Sequence, residues 1–590
     1  MYRLRLNTVK GPSSYGLCLP EKTLAGLQIT PNKRYEVQVG QRVIRTGIGV
    51  APVSRITAEL KQKLRLPPGV LRLHIARRDD RLVLGPFLGI LARPQRSTPY
   101  GEQTSFFRRL IARAKAMHIY AYVFGLDDVN WKGVSVTGHR PYKTTTTWVT
   151  RVCPIPDVVF DRGFFKAAER RKAVKTKTRL IEEYGAHLFN EDVGNKWDVY
   201  QMLLSDPDLA EYLPETAKAE STDVLTDFIS RHRVIYVKPA AGNQGRHVFR
   251  VRRRRDRVSY EMHERRGRIV RTSVPTMSAF MQDLAATKER SVYLVQQGLT
   301  LAKVKGNAAD VRALVQRDRH GVWQLTGIGV RIGGSGLVSN LHAGGCAAKI
   351  DILLPRAERK AQVPALKARI KDLSLRVAHV LSKRHLLGEL GVDLGVDKQG
   401  RLWIIEVNLR PGRATFRRAG LTEAWRRSGI APLEFTIYLW ARKGTEMDAD
   451  GDEAVTSPAD TVDADSYAVV NLDAADSGES DSRTTARHSN GHFTAIEDLA
   501  CNNCIDPSLD NAVDAADDDD DTEDSAADEL QRNGRLATVE APVDTGAHEP
   551  AVKPDAGDAE PTPYTGTATI GAYVPVLTQS MNTVSGRLID

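Results

Sequence analysis

Two carboxylates and an amide are spaced so that paired strands could bring them together around a hard cation. Glu406 and Asn408 are two positions apart in Ile404-Ile405-Glu406-Val407-Asn408, so on an extended strand they share a face. Asp393 lies 13 positions before Glu406, across a hairpin predicted to turn at Lys398-Gln399-Gly400. Mg²⁺ prefers such oxygen ligands and takes the rest of its shell from waters and phosphates. A solvated hairpin face is the plain alternative. Against it, one face carries only Glu406, Asn408 and Arg410 beside an apolar opposite face.

Other residues could handle phosphate. Val237-Lys238-Pro239 ends an apolar run, and Ala240-Ala241-Gly242-Asn243-Gln244-Gly245-Arg246 follows. A loop of small residues lets backbone N–H groups approach phosphate oxygens while the lysine supplies a point charge. It is not a P-loop, because GK[ST] is absent and the next element reads as strand; an ordinary hairpin turn has the same composition. Asp310 and Arg312 share a strand face, and Arg331, Gly333-Gly334, Asn340 and Gly344-Gly345 follow. Two arginines, an amide and glycine pairs could hold a transferring phosphoryl group and a carboxylate, although strand arginines are also ordinary in so basic a chain. In Val295-Gln296-Gln297-Gly298-Leu299 an apolar strand ends in groups that could meet an adenine edge. His320 and His342 read as surface or packing residues, and Cys346 as a structural thiol.

The elements that must carry these groups can be outlined. Residues 1–85 alternate apolar and polar between Gly, Pro and Asn breaks, as in ITPNKRYEVQVGQRVIRTGIGV, predicting a small β-domain. Residues 86–160 change to a βαβ rhythm: FLGILA, the amphipathic FFRRLIARAKAM, YAYVF and PDVVFDRG predict an α/β domain. Residues 161–444 combine strands (VIYVKP, HVFRVRR, SVYLVQQ, DVRALVQRD, WQLTGIGVRI) with helices expected at about 196–204, 365–383 and 423–442, an α+β block.

Residues 445–590 hold 33 Asp+Glu and 6 Lys+Arg, a balance of −27, with five consecutive aspartates at Asp517–Asp521. The preceding 444 residues therefore hold 78 Lys+Arg and 39 Asp+Glu, or +39, which returns the net +12. No period in the tail lasts long enough to bury surface, so it is expected to be disordered. It is read as a solvated tail, with electrostatic folding-back on the body as the alternative. Cys501-Asn-Asn-Cys504 has metal-site spacing but no second pair, and reads as unpaired thiols. Five cysteines are too few for a disulfide scaffold. No run of 18 apolar residues predicts a membrane span, and the first residues lack a secretory h-region. The basic body and Arg252–Arg255 invite nucleic-acid binding, but no recognised nucleic-acid module is present.

Taken in order, these motifs resemble the ATP-grasp superfamily: lysine strand, small-residue loop, hinge strand, D-x-R strand, R…N…GG, then D…E-x-N. DVRALVQ…GVRIGGSGLVSNLHAGG is similar to its RimK and glutathione-synthetase branch. Over residues 30–440 the chain resembles the endospore coat-associated YheC/YheD family, in LVLGPFLGIL, YVFGLDDVNW, PIPDVVFDRG, KWDVYQML, YLVQQGLTLA and LGELGVDLGVDKQGRLWIIEVNLRPG. The resemblance implies an ATP-grasp fold of two α+β subdomains, with the α/β domain before it pre-ATP-grasp-like. It implies ATP phosphates at Lys238 and Lys196 under the loop containing Gly242 and Gly245. Adenine would lie at the hinge Gln296, Gln297 and Leu299, and the ribose hydroxyls at Asp310. Mg²⁺ would bind at Asp393, Glu406 and Asn408, with Arg312, Arg331 and Asn340 facing the phosphoryl group or acceptor. Related enzymes often carry an acidic hinge residue where glutamines stand here. The implied reaction is ATP-dependent carboxylate–amine ligation through an acyl-phosphate on a small-molecule or peptide carboxylate, in a cytoplasmic protein associated with the endospore coat and its proteins. An ATP-binding structural or assembly protein of the coat with little turnover is the alternative.

Overall fold

The computed structural model describes residues 1–442 except 12, 96–98, 143–146, 242–246, 255, 264–268, 288–291, 334–344 and 355–358. All of them belong to one compact unit. Gly242, Gly245, Asn340, His342 and the whole tail with Cys501 and Cys504 lie outside the described residues.

Among the described residues the strands form one closed barrel and three open sheets. The alternating N-terminal segments build the barrel. Tyr2–Val9 closes it by pairing antiparallel with Leu71–Arg78 and parallel with Arg55–Thr57. Its inward side chains, among them Leu4, Leu6, Val37, Val39, Ile56 and Leu73, are buried. Closure leaves no unpaired edge, which suits a domain made of short strands.

The second sheet has a parallel centre of Tyr120–Phe124, Phe87–Leu91, Val158–Asp161 and His187–Phe189. FLGIL and YAYVF are apolar at every position because both faces of such a sheet are covered. Phe107 and Leu110 of the helix Thr104–Ala116 share a core with Leu433, Leu439 and Trp440 of the last helix, Thr422–Ala441. The end of the chain thus packs back against this sheet.

The third sheet is antiparallel, in the order Thr216–Lys218, Tyr293–Gln297, Ile235–Pro239, Phe249–Arg254, Arg257–His263, Ile269–Val274. The helices Thr222–Arg231 and Met277–Ala286 cover one face: Phe228 and Phe280 join Ile235, Val237, Phe249 and Val251 in one core. Alternation places Tyr236, Lys238 and Gln296 on the other face.

The fourth sheet runs Cys346–Ala348, Trp323–Ile332, Asn307–Arg317, Glu389–Val396, Leu402–Asn408. Ile370, Val377 and Leu381 of the long helix Arg359–Ser382 pack on Val311, Ala313, Val330, Val392 and Leu394. Each such buried aliphatic side chain contributes about 1.5–3 kcal/mol. The intervening residues Asp310, Arg312, Arg331 and Asp393 occupy the opposite face. Every residue of Glu389–Val396 is buried, so any charge on that strand must be paired.

Candidate functional site

The hairpin brings Asp393 and Glu406 together through a bulge. Its turn lies where the glycine demands it: Gly400 has φ +77°, and Asp397 Oδ1 accepts the N–H groups of Gln399 and Arg401 at 3.0 and 2.8 Å. From the turn the register runs Val396↔Leu402, Gly395↔Trp403, Leu394↔Ile404, and then shifts to Asp393↔Glu406 and Gly391↔Asn408. Ile405 is the extra residue. Without it, Ile405 would stand opposite Asp393 and both Glu406 and Asn408 would turn to the covered face. Sequence spacing alone carries no sign of this bulge.

Asp393 is clasped by cations. Arg312, directly opposite on the neighbouring strand, donates from Nε to Oδ1 at 2.5 Å and from Nη2 to Oδ2 at 3.0 Å. Arg331 Nη2 reaches Oδ2 at 2.9 Å, and Asn408 Nδ2 donates to the same oxygen at 2.9 Å. Gly391 makes room for Pro411, since a Cβ there would lie 2.8 Å from Pro411 Cβ, with Arg312 Cδ beside it at 3.4 Å. Burial pushes the Asp393 carboxyl up, but Arg312 and Arg331 outweigh it and hold the group below its usual range. Arg331 loses solvation likewise, yet Asp393 and Asp310 keep it more firmly protonated than a free guanidinium.

Asp310 faces Arg331 across the sheet and accepts its Nε and Nη2 at 2.6 and 2.8 Å. This fork-to-fork pairing fixes the orientation of the arginine. Each oxygen takes one of these donors and keeps further acceptor capacity.

The lysines approach from the third sheet and the helix Lys196–Leu204. Asn195 caps that helix, accepting from Trp197 N at 2.8 Å while Asp198 closes a capping box. Lys196 N donates to Ala240 O at 3.0 Å, tying the helix start to the end of the lysine strand. Lys196 Nζ lies 3.6 Å from Glu406 Oε1. Lys238 Nζ donates to Gln296 Oε1 at 2.8 Å. Burial and the neighbouring Lys196 lower the Lys238 pKa to about 8, against the pull of Glu406. Gln296 in turn donates to Thr216 Oγ1 at 2.9 Å, and Gln297 Oε1 accepts Glu215 N at 3.2 Å. The hinge glutamines therefore order the strands beside the lysine. Leu299 follows directly, beyond the strand's end at Gln297.

Arg410 departs from the face on which its spacing placed it. The strand ends at Asn408, and Arg410 reaches Asp161 and Asp192 at 2.9 and 2.5 Å. Arg162, Glu389 and Arg413 were not singled out from the sequence, yet they form a second buried charge cluster: Glu389 accepts Arg162 Nη1 at 2.8 Å and Arg413 Nη2 at 2.5 Å. The one cue is a glutamate four residues before Asp393 in an otherwise apolar strand.

Asp393 and Glu406 carry carboxylate oxygens of the type a hard cation takes. Asp393 Oδ2 takes three donors but Oδ1 only one, which leaves Oδ1 an acceptor site of its own. Glu406 is partly exposed, and Asn408 turns its amide nitrogen onto Asp393, so its carbonyl oxygen faces away from that carboxylate. Among the described residues no three or more His, Cys, Asp or Glu side chains gather as a metal cluster. Asp393 Oδ1 and Glu406 are hard-oxygen donors of the sort Mg²⁺ shares with phosphate and water, whereas Asn408 presents its amide nitrogen, not its oxygen, to Asp393.

The sheets, the opposed carboxylate pair and the facing lysine define an ATP-grasp domain. Residues 185–439 match the family model described as YheC/D like ATP-grasp. The endospore coat-associated protein YheD of Bacillus subtilis (strain 168) is 27% identical over 430 residues, covering 71% of this chain and 91% of that protein. YheC of the same organism is 25% identical over 345 residues, covering 58% and 94%. Among solved structures, the ATP-grasp ligase PsnB complexed with a phosphomimetic variant of its minimal precursor, Mg and ADP is 15% identical with a TM-score of 0.36, covering 60% of this chain and 99% of that one. Residues 185–439 thus carry a YheC/D-like ATP-grasp domain.

Proposed function

We propose that the cleft between the lysine face of the third sheet and the Asp393–Glu406 hairpin binds Mg·ATP and ligates a carboxylate to an amine. The observation that carries this reading is the opposed pair Asp393↔Glu406 with Lys196 3.6 Å from Glu406. Three carboxylates (Asp310, Asp393, Glu406) stand against four cations (Arg312, Arg331, Lys196, Lys238), leaving one positive charge for a polyphosphate. Lys196 and Lys238 would neutralise phosphate oxygens beneath the loop holding Gly242 and Gly245. Gln296, Gln297 and Leu299 would border the base. Mg²⁺ held by Glu406, Asn408 and Asp393 would supply charge neutralisation at the phosphates. Arg312, Arg331 and Asn340 would face the transferring group. The donor carboxylate oxygen attacks the γ-phosphorus and ADP leaves; the amine nitrogen then attacks the acyl carbon, phosphate departs, and the amine sheds a proton. Catalysis of this type consists mostly of positioning and electrostatics, which explains why no activated Ser or Cys is required.

The curated relatives are named endospore coat-associated, and by that kinship we place this chain at the spore coat as well. One observation favours a second reading, an ATP-binding assembly protein with little turnover: Asp393 is already neutralised by two guanidinium groups. ADP and phosphate release with Mg·ATP over a panel of carboxylate and amine pairs separates the two. A ligase releases ADP with wild type and not with Glu406→Ala. Equal, negligible release from both overturns the ligase reading, and nucleotide binding that is lost in Glu406→Ala would then select the assembly role.

A further inference from the structure

The third sheet presents more than the lysine. Its helix-free face continues outward from Lys238 across three more strands. Tyr236 stands opposite Arg250, Arg250 opposite Glu261, and Glu261 opposite Arg271. Along the strands Arg252, Arg254 and Arg257 fall on the same face by register, with Arg254 opposite Arg257. Five arginines and one glutamate give this face +4. Glu261 is shared, 3.5 Å from Arg250 and 3.2 Å from Arg271. The Nε atoms of Arg250 and Arg252 are buried without a hydrogen-bond partner. The Nη groups of Arg252 and Arg254 are the ends able to meet an acceptor from outside, since Arg252 is half-buried and Arg254 exposed.

Resting on the reading of the cleft as a carboxylate-activating site, we propose that its substrate is an acidic polypeptide whose flanking carboxylates lie along this arginine face. Side chains on one face of a strand repeat about every 6.6–6.8 Å. Arg250, Arg252 and Arg254 therefore match the acidic side chains of an extended peptide taken at every second position, with bidentate guanidinium–carboxylate geometry available at each. The row leads back to Lys238, so a bound peptide delivers one carboxylate to the phosphate end of the cleft. Single-stranded nucleic acid is the other polyanion of this shape, but it binds on aromatic stacking platforms. Tyr236 is the single Phe, Tyr or Trp ring that the described strand residues place on this face; Phe249 and Tyr260 are on the opposite face, packed with Phe280.

The test uses the full chain and a fluorescent deca-glutamate peptide, followed by anisotropy from low to physiological salt, with Mg·AMPPNP binding measured separately. Expected is saturable, salt-dependent binding that weakens at least tenfold in R252Q/R254Q and holds in R253Q, whose arginine lies on the other face of the same strand. Equal weakening in R253Q, or no peptide binding by a chain that binds nucleotide, overturns the inference and leaves the nucleotide site standing. Absence of nucleotide binding overturns the reading beneath it. Tighter binding of an oligo-dT at the same arginines, or peptide binding that emerges only when Asp517–Asp521 are all changed to Asn, would assign the face to nucleic acid or to the chain's own aspartates, and the acidic-peptide proposal falls.

Discussion

Lys238 should set the alkaline limit of nucleotide binding. Its pKa is drawn down to about 8 by burial and by Lys196. The protonated fraction is then about 0.9 at pH 7 and about 0.1 at pH 9 from the titration curve of a single group. Phosphate contact requires the protonated form, and bound phosphates stabilise it further. Affinity for Mg·AMPPNP should therefore bend near pH 8 and fall about tenfold from pH 7 to pH 9, since one pKa unit is a factor of ten. Removing a like charge relieves the lowering, so Lys196→Met moves the bend to higher pH while weakening binding at all pH. Removing an opposite charge does the reverse, and Glu406→Gln moves it lower. Lys238→Met abolishes it. Isothermal titration calorimetry across pH 7–9.5 reads all four chains. A flat wild-type profile, or a bend that survives in Lys238→Met, refutes the assignment of this lysine to phosphate.

Two further outcomes follow from the buried charges. Arg331→Met strips Asp310 of both its forked bonds and Asp393 of one, and removing one partner of a buried pair costs about 3–5 kcal/mol. Adding Asp310→Asn should recover part of that loss by neutralising the orphaned carboxylate, as judged by urea unfolding with hydrogen exchange of the strands Asn307–Arg317 and Trp323–Ile332; no recovery would mean the pair is not the source. The Asp393 carboxyl, held low by its arginines, contributes stability that is present above its unfolded pKa of about 3.9 and is lost as pH falls through the folded value. Asp393→Asn should therefore flatten the fall of the urea midpoint below about pH 4, and an unchanged acid slope would contradict it.

Much of the site was readable because it lies on periodic elements. The helix expected at about 196–204 is Lys196–Leu204, the one at 423–442 is Thr422–Ala441, and the helix at 365–383 begins earlier, at Arg359. VIYVKP and HVFRVRR pair antiparallel as expected, because apolar alternation between glycine-containing breaks leaves few other registers. What escaped is non-local. Nothing in the first 85 residues announces closure of the barrel, which depends on Tyr2–Val9 meeting Leu71–Arg78. Ile405 as a bulge and the pairing of Asp310 with Arg331 depend on which strand lies beside which. Arg410 was misplaced because a period-2 reading assumes the strand continues, and it stops at Asn408.

Glu389 shows why the cleft geometry is held as it is. It lies on the same strand face as Asp393, four residues away, and like Asp393 it is clasped by two arginines and an amide, Gln316 Nε2 donating at 3.0 Å. Its arginines come from different places. Arg162 follows the strand Val158–Asp161 of the second sheet, and Arg413 follows the Glu406 strand. Asn190 fastens the same junction, donating to Glu389 O and Leu409 O at 2.7 and 2.6 Å and accepting Gly388 N and Glu389 N at 2.9 and 3.0 Å. A buried ion pair adds little net stability over an apolar contact of equal volume, so stability alone does not explain this cluster. Directional bonds do something an apolar contact cannot: they fix the register of the Asp393 strand against the second sheet. The bulge at Ile405 then fixes Glu406 relative to Asp393. A slip of one residue anywhere along this chain of constraints would turn the carboxylates toward the covered face. The Glu389 cluster is thus the anchor from which the Asp393–Glu406 pair is positioned.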